Sequence, residues 1–90
     1  MDFDWDDANL AHIAEHGVSQ GDAEDVFYNV NVELSLRIEG DEERRRIVGP
    51  TNSGWMLVVA FIIRRDMIRV VTAFPAGAVA LRMFKGARPR

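Results

Sequence analysis

Two histidines and ten arginines hold most of the reactive chemistry of this ninety-residue chain. Both histidines lie near the amino end, in Asn9-Leu10-Ala11-His12 and Glu15-His16-Gly17-Val18-Ser19. On a helix over residues 7–16 their spacing sets the two rings one turn apart on one face, and Gly17 stops the helix directly behind the second ring. Imidazole, with an unperturbed pKa of about 6.5, is the side chain best suited to moving protons near neutral pH. At the helix C-cap a cationic ring is also favoured by the helix dipole, by roughly 0.3–1 kcal/mol when exposed. The same i, i+4 spacing is that of the helix ligands in zinc hydrolases. The order His-Glu-x-x-His is missing, however, and a metal site would need an additional carboxylate ligand. The plain alternative for His12 is a surface or packed side chain, and for His16 a cap with no chemistry.

The arginines fall into two sets. Arg44, Arg45 and Arg46 are consecutive, whereas Arg64, Arg65 and Arg69 surround a later hairpin. Guanidinium forks fit phosphate geometry better than ammonium groups do, and Lys85 is the single lysine of the chain. Histidine with such cations is the set needed to cleave RNA by attack of a 2′-hydroxyl on its neighbouring phosphate. One group takes a proton, another gives one, and cations stabilise the crowded phosphorane. Glu43 is a second proton-transfer candidate, or a partner that orients an arginine. Trp5 and Trp55 could stack unpaired bases, although a tryptophan in so short a chain serves equally as core. The absence of cysteine excludes disulfides, thiolate catalysis and cysteine-containing zinc sites. No Walker loop, dinucleotide glycine pattern or serine elbow is present, and Gly49 to Gly54 reads as a turn.

The net charge of −3 conceals a strong polarity. Residues 1–43 carry thirteen acids against Arg37 alone, a balance of −12, while residues 44–90 carry ten bases against Asp66 alone, a balance of +9. Acidic helices packed beside a basic sheet would neutralise one another. A basic face able to hold phosphates is the functional alternative. The acidic amino end has no signal pattern and no apolar run reaches the ~18 residues of a membrane helix, so a cytoplasmic protein without membrane contact is expected.

These residues must be positioned by one small domain, residues 1–86, followed by a basic tail, residues 87–90. Asp6 or Asp7 can cap a first helix bearing Leu10, Ile13 and Ala14, and Val18 can fold back on Ile13 in a Schellman ending. Ser19, with Asp22 as capping-box partner, starts a second helix whose apolar stripe is Ala23, Val26, Phe27 and Val30. From Val32 the period becomes two, predicting a strand to Glu39, a turn at Gly40-Asp41 and a returning strand over Glu42 to Val48. That strand puts Arg44 and Arg46 on one face and Arg45 and Ile47 on the other. Trp55 to Ile63 reads as a central strand, and Arg64-Arg65-Asp66 turns it into Met67 to Ala73. Pro75 is expected in the first turn of a last helix carrying Val79, Leu81, Met83 and Phe84. The fold class is α+β: two helices, a four-stranded antiparallel meander and a closing helix.

Phe3-x-Trp5-Asp6, Asn9, Glu15-His16-Gly17-Val18-Ser19 and the helix with Ala23, Val26 and Phe27 resemble the opening of the BrnT toxins. The similarity continues through Glu43-Arg44, Gly49 and Ile68-Arg69-Val70-Val71. The resemblance implies a RelE-like ribonuclease fold and a toxin that inhibits translation by cutting RNA without a cofactor. It also implies a cognate antitoxin, typically of ribbon-helix-helix type, which alone contacts operator DNA, and an assembly as a dimer or a hetero-oligomer with that antitoxin. By position it points to His16, Glu43, Arg44 and Arg65 as catalytic. Trp5, Arg46, Arg64, Arg69 and Thr72 are then the RNA-binding set, and no residue is assigned to a metal. The carboxyl end departs from the family pattern: where Ser-Ala-Arg is usual, this chain has Thr72-Ala73-Phe74, and its last helix ends in Phe84 without the closing tyrosine.

Overall fold

Asp6 begins the structure by capping α1 (Asp7–Ala14). Its carboxylate accepts the Asn9 N–H at 3.0 Å while Asn9 Oδ1 accepts the Asp6 N–H at 2.8 Å, so each residue satisfies an amide the helix leaves open. Gly17, at φ 76°, closes the helix: the Val18 N–H reaches Ile13 O at 3.1 Å and the Gly17 N–H reaches Ala14 O at 3.0 Å. Val18 and Ile13 meet in the core as that closure requires. This is a computed structural model that describes residues 1–87; the rest of the expected basic tail, residues 88–90, lies outside the described residues.

Ser19 caps α2 (Gln20–Tyr28) with Asp22 in a capping box. The strands β1 (Val32–Glu39), β2 (Glu42–Pro50), β3 (Met56–Arg64) and β4 (Met67–Pro75) form an antiparallel meander in chain order, and α3 (Ala78–Gly86) follows. The architecture is the α+β arrangement that the periodicity predicts. Helix α1 packs against β4 and α2 against β2 and β3, whereas α3 crosses β1 and β2. The first two helices and the sheet enclose Ile13, Val26, Ile47, Leu57, Val59 and Val70, which are almost wholly buried. No described helix is long and apolar enough to cross a membrane.

Four local expectations change. Helix α1 stops at Ala14 with Glu15 as its C-cap, so His16 lies in the closing turn rather than on the cap itself. Helix α2 stops at Tyr28 because Asn29 turns to extended backbone and ties its side-chain amide to Pro50 O at 2.9 Å; Val30, expected on the apolar stripe, is left 67% exposed. A bulge between Glu33 and Ser35 breaks the simple alternation of β1, and Leu36 and Ile38 come out exposed beyond the reach of α2. Pro75 ends β4 opposite Leu57 instead of opening α3, whose N-cap is Gly77. An edge strand accommodates a residue that cannot donate to a ladder.

The edge of β4 is occupied by the amino terminus. Phe3 forms a parallel bridge with Ile68; the Asp4 N–H donates to Ile68 O and the Ile68 N–H to Asp2 O, both at 2.8 Å. Gly49, in the middle of the molecule, is required by close approach: a Cβ there would stand 2.8 Å from Val30 O.

Candidate active site

Strand pleating sorts the sheet side chains onto two faces, and the ladder partners say which. Arg45 pairs with Phe61 and Ile47 with Val59, on the face covered by α1 and α2. Arg46 pairs with Ala60 and with Ser35, and Ala60 pairs with Thr72, which sets these four in one row on the opposite face. Arg37 with Arg44, and Ile62 with Arg69, belong to the next row on that face. Val48, Val58 and Phe74 form the row on the other side of it. Helix α3 shades only this last end, so most of the face is open.

Helix α1 forms one wall. Asn9, 5% exposed, donates through Nδ2 to Asp4 O at 3.0 Å and to Val70 O at 3.3 Å, which fixes the helix against β4. One turn on, His12 faces a cleft of about 420 Å³ with Glu42, Arg44, Arg64 and Arg69 around it and Ile62 and Val71 on its floor. His16 stands 6.0 Å from His12, ring to ring, and 6.0 Å from Phe74 on the sheet, edge-on in both cases. Both histidines are exposed to solvent.

The arginines around this face are not equivalent. Arg69, only 19% exposed in its side chain, lies 3.0 Å from Asp6 and 3.6 Å from Asp4, so its charge is spent on tethering the amino terminus. The Asn9 N–H, and after it Arg69, hold the Asp6 carboxyl below its ordinary value. Arg44 lies 3.3 Å from Glu42 and 3.9 Å from Glu39, both exposed pairs of the kind worth little in water. Arg46 donates through Nε to Ser35 Oγ at 3.0 Å, and among the described residues its remaining donors face no carboxylate. Arg64 has no ion-pair partner among the described residues. A guanidinium left this way is available to an incoming phosphate.

Of the residues expected at the site, His16, Arg44, Arg46, Arg64, Arg69 and Thr72 fall on or beside the open face. The others are placed elsewhere. Glu43 lies on the covered face, 3.0 Å from Arg45, and it is Glu42 that reaches the cleft. Arg65 is at the tip of the β3–β4 turn, where it and Asp66 both take positive φ. Trp5 packs against the core and donates its indole N–H to Glu24 at 2.8 Å, so its ring is engaged rather than offered to a base; Trp55 likewise packs on the core. His12, read from the sequence as a surface or packed side chain, lines the cleft. The available signal was its spacing: Asn9 and His12 share one side of α1, His16 follows in the closing turn, and a buried asparagine aimed at β4 turns that side toward the sheet. Among the described residues there is no cluster of three or more metal-ligating side chains.

The net charge does not decide what this face attracts. Charges are screened over about 8 Å at physiological salt, so the groups at the cleft itself decide: Glu42 is met by Arg44 and the Asp4–Asp6 pair by Arg69, which leaves Arg64 there, and Arg46 further along the face, without a carboxylate partner among the described residues. Imidazole beside free guanidinium groups on an open strand surface is a set suited to phosphodiester chemistry. A search of curated proteins finds no match. Residues 5–78, from Trp5 through all four strands to the first residue of α3, match the family model described as the ribonuclease toxin, BrnT, of type II toxin–antitoxin systems. The chain belongs to the BrnT family of ribonuclease toxins.

Proposed function

We propose that this toxin cuts RNA without a metal ion, with the strand laid across the open face and the scissile phosphate in the cleft beside His12. The observation that carries the reading is the convergence of His12, Arg44 and Arg64 on one cavity, supplied by three separate elements. Arg44, Arg46 and Arg64 hold the phosphate and the charge that builds on the phosphorane. One of the two histidines takes the 2′-hydroxyl proton and the other delivers one to the leaving 5′-oxygen, a division that suits two imidazoles one turn apart. Thr72 contributes a hydroxyl in the neighbouring row with Ala60 and Arg46, and Glu42 orients Arg44. Arg69 acts through Asp4 and Asp6 as a strut.

The test is cleavage of RNA by purified His12→Ala, His16→Ala and the double variant, each checked for a native circular dichroism spectrum. Loss of about 10²-fold or more is expected when a proton-transfer group is removed. Full activity in folded His16→Ala would assign that ring to packing against Phe74, and full activity in the double variant would remove the histidine mechanism altogether.

Phe74, at the position where an arginine is usual, favours a second reading: a toxin scaffold retained chiefly to bind its partner. It predicts no growth arrest and no RNA cleavage on expression, together with tight binding to the product of the adjacent gene. In either reading the partner is a cytoplasmic antitoxin, with a ribbon-helix-helix part that alone touches operator DNA, assembled with the toxin as a hetero-oligomer. The family membership and the resemblance support this choice of partner.

A further inference from the structure

Where α3 crosses the open face it leaves a second cavity of about 290 Å³, walled by Leu34, Val58, Phe74, Val79 and Met83, with Arg46 at its edge. We propose that this cavity receives one unpaired nucleobase next to the scissile phosphate, with Phe74 as the stacking surface. The inference rests on reading the open face as the RNA site. Three observations specify the occupant.

The first is continuity. Arg46 borders this cavity and also a neighbouring basic hollow lined by Ser35, Arg37, Arg44 and Ala60, so an apolar space opens directly onto the arginines. A ligand that fits both is flat and apolar at one end and anionic at the other, as a nucleotide is. The second is position. Phe74 also meets His16 at 6.0 Å, so a base against the Phe74 ring brings its own phosphate within the reach of His16 and Arg46. The third is size: at the lower bound of ligand cavities, roughly 300 Å³, the space suits a single base rather than a longer segment. Single-stranded RNA is read in this way elsewhere, by bases splayed out and stacked on aromatic or guanidinium planes. With Trp5 engaged by Glu24, Phe74 is the aromatic ring on this face placed for that purpose.

No residue of α3 is fully buried, and Val79 and Met83 remain 63% and 42% exposed at the mouth of the cavity. The family match ends at residue 78, at the start of this helix. The cavity is therefore built across that limit: Leu34, Val58, Phe74 and the arginine surface lie within the matched region, and Val79 and Met83 beyond it.

The probe is a pair of short 2′-O-methyl RNA strands of equal length, uncleavable because the 2′-hydroxyl is blocked: one carries bases and the other is abasic throughout. Both have the same phosphate charge. Fluorescence anisotropy with the full chain should show the base-bearing strand binding about 5- to 150-fold more tightly, the range that stacking of one base confers. Phe74→Leu, which keeps the apolar volume but removes the ring, should collapse that preference. Ala78→Leu, at an exposed position where folding is not at stake, should do the same by filling the mouth. Equal affinity for the two strands overturns the base cavity and leaves the arginine surface standing. Binding of neither strand overturns the cavity and the RNA reading of the face together. A preference that survives both substitutions overturns the cavity by placing the base elsewhere. If both substitutions instead abolish antitoxin binding and leave the preference intact, the cavity anchors a protein side chain and the proposal fails.

Discussion

Arg45 and Arg46 are neighbours in the chain and opposites in the structure. Arg45 lies on the covered face, 2.6 Å from Glu33 and 3.0 Å from Glu43, and the Glu33 hydrogen bond raises its pKa above the ordinary value. Arg46, one pleat away, touches a serine hydroxyl and no carboxylate among the described residues. Arg45 is thus met by two carboxylates on one side, while the guanidinium groups without a carboxylate partner among the described residues, Arg46 and Arg64, lie on the other. A chain of net negative charge can present a basic working surface because strand alternation, rather than total charge, decides which cations remain free.

The contrast between the faces can be broken in stages. Leu57→Ala, on the covered face, should cost about 2–5 kcal/mol of stability by urea denaturation, with cleavage per folded molecule unchanged. Arg64→Ala, on the open face, should lower RNA cleavage on the order of 10²-fold while shifting stability by less than about 0.5 kcal/mol. A reversed outcome for either substitution would mean that the faces do not divide packing from chemistry. Gly49→Ala forces a Cβ against Val30 O and should cost about 1–3 kcal/mol in thermal unfolding. Arg45→Ala should leave cleavage unaltered, since its charge is already met by Glu33 and Glu43.

The smallest effect is one of pH. The folded state holds the Asp6 carboxyl below its ordinary 3.8, so the unfolded chain takes up that proton first as the solution is acidified. The stabilisation is complete above the ordinary value and is lost as pH falls through the lowered one. Asp6→Asn, which can still cap α1, should therefore lose that charge-dependent stability at neutral pH and flatten the profile below about pH 4, where variant and wild type converge.

Much of this arrangement could be read from residue order. The capping boxes at Asp6 and Ser19, the glycine stop at Gly17 and the period-two strands announce themselves locally, because each is decided within a few residues. The opposed faces of Arg44 and Arg45 follow from pleating alone. What could not be read depends on distant partners. Trp5 is equally suited to stacking a base or closing a core, and Glu24, nineteen residues away, decides the matter. Glu43 and Glu42 exchange roles because one step along a strand changes the face. The side of α1 that carries His12 is turned toward the sheet by the bond from Asn9 to Val70 O, a contact spanning sixty-one residues. Phe74 stands where the family pattern has a cation, and only the position of α3 beside it gives an apolar ring a cavity to line.

The amino-terminal residues that occupy β4 carry a consequence for how copies of this chain can combine. Ile68 spends both its outward backbone groups on Asp2 and Asp4, and Val70 O accepts from Asn9, whereas β1 ends the sheet with no further strand beside it among the described residues. The two edges of the sheet are therefore unequal: two molecules joined β1 to β1 about a two-fold axis would each carry, on the far side, an edge whose Ile68 end is already filled by its own amino terminus.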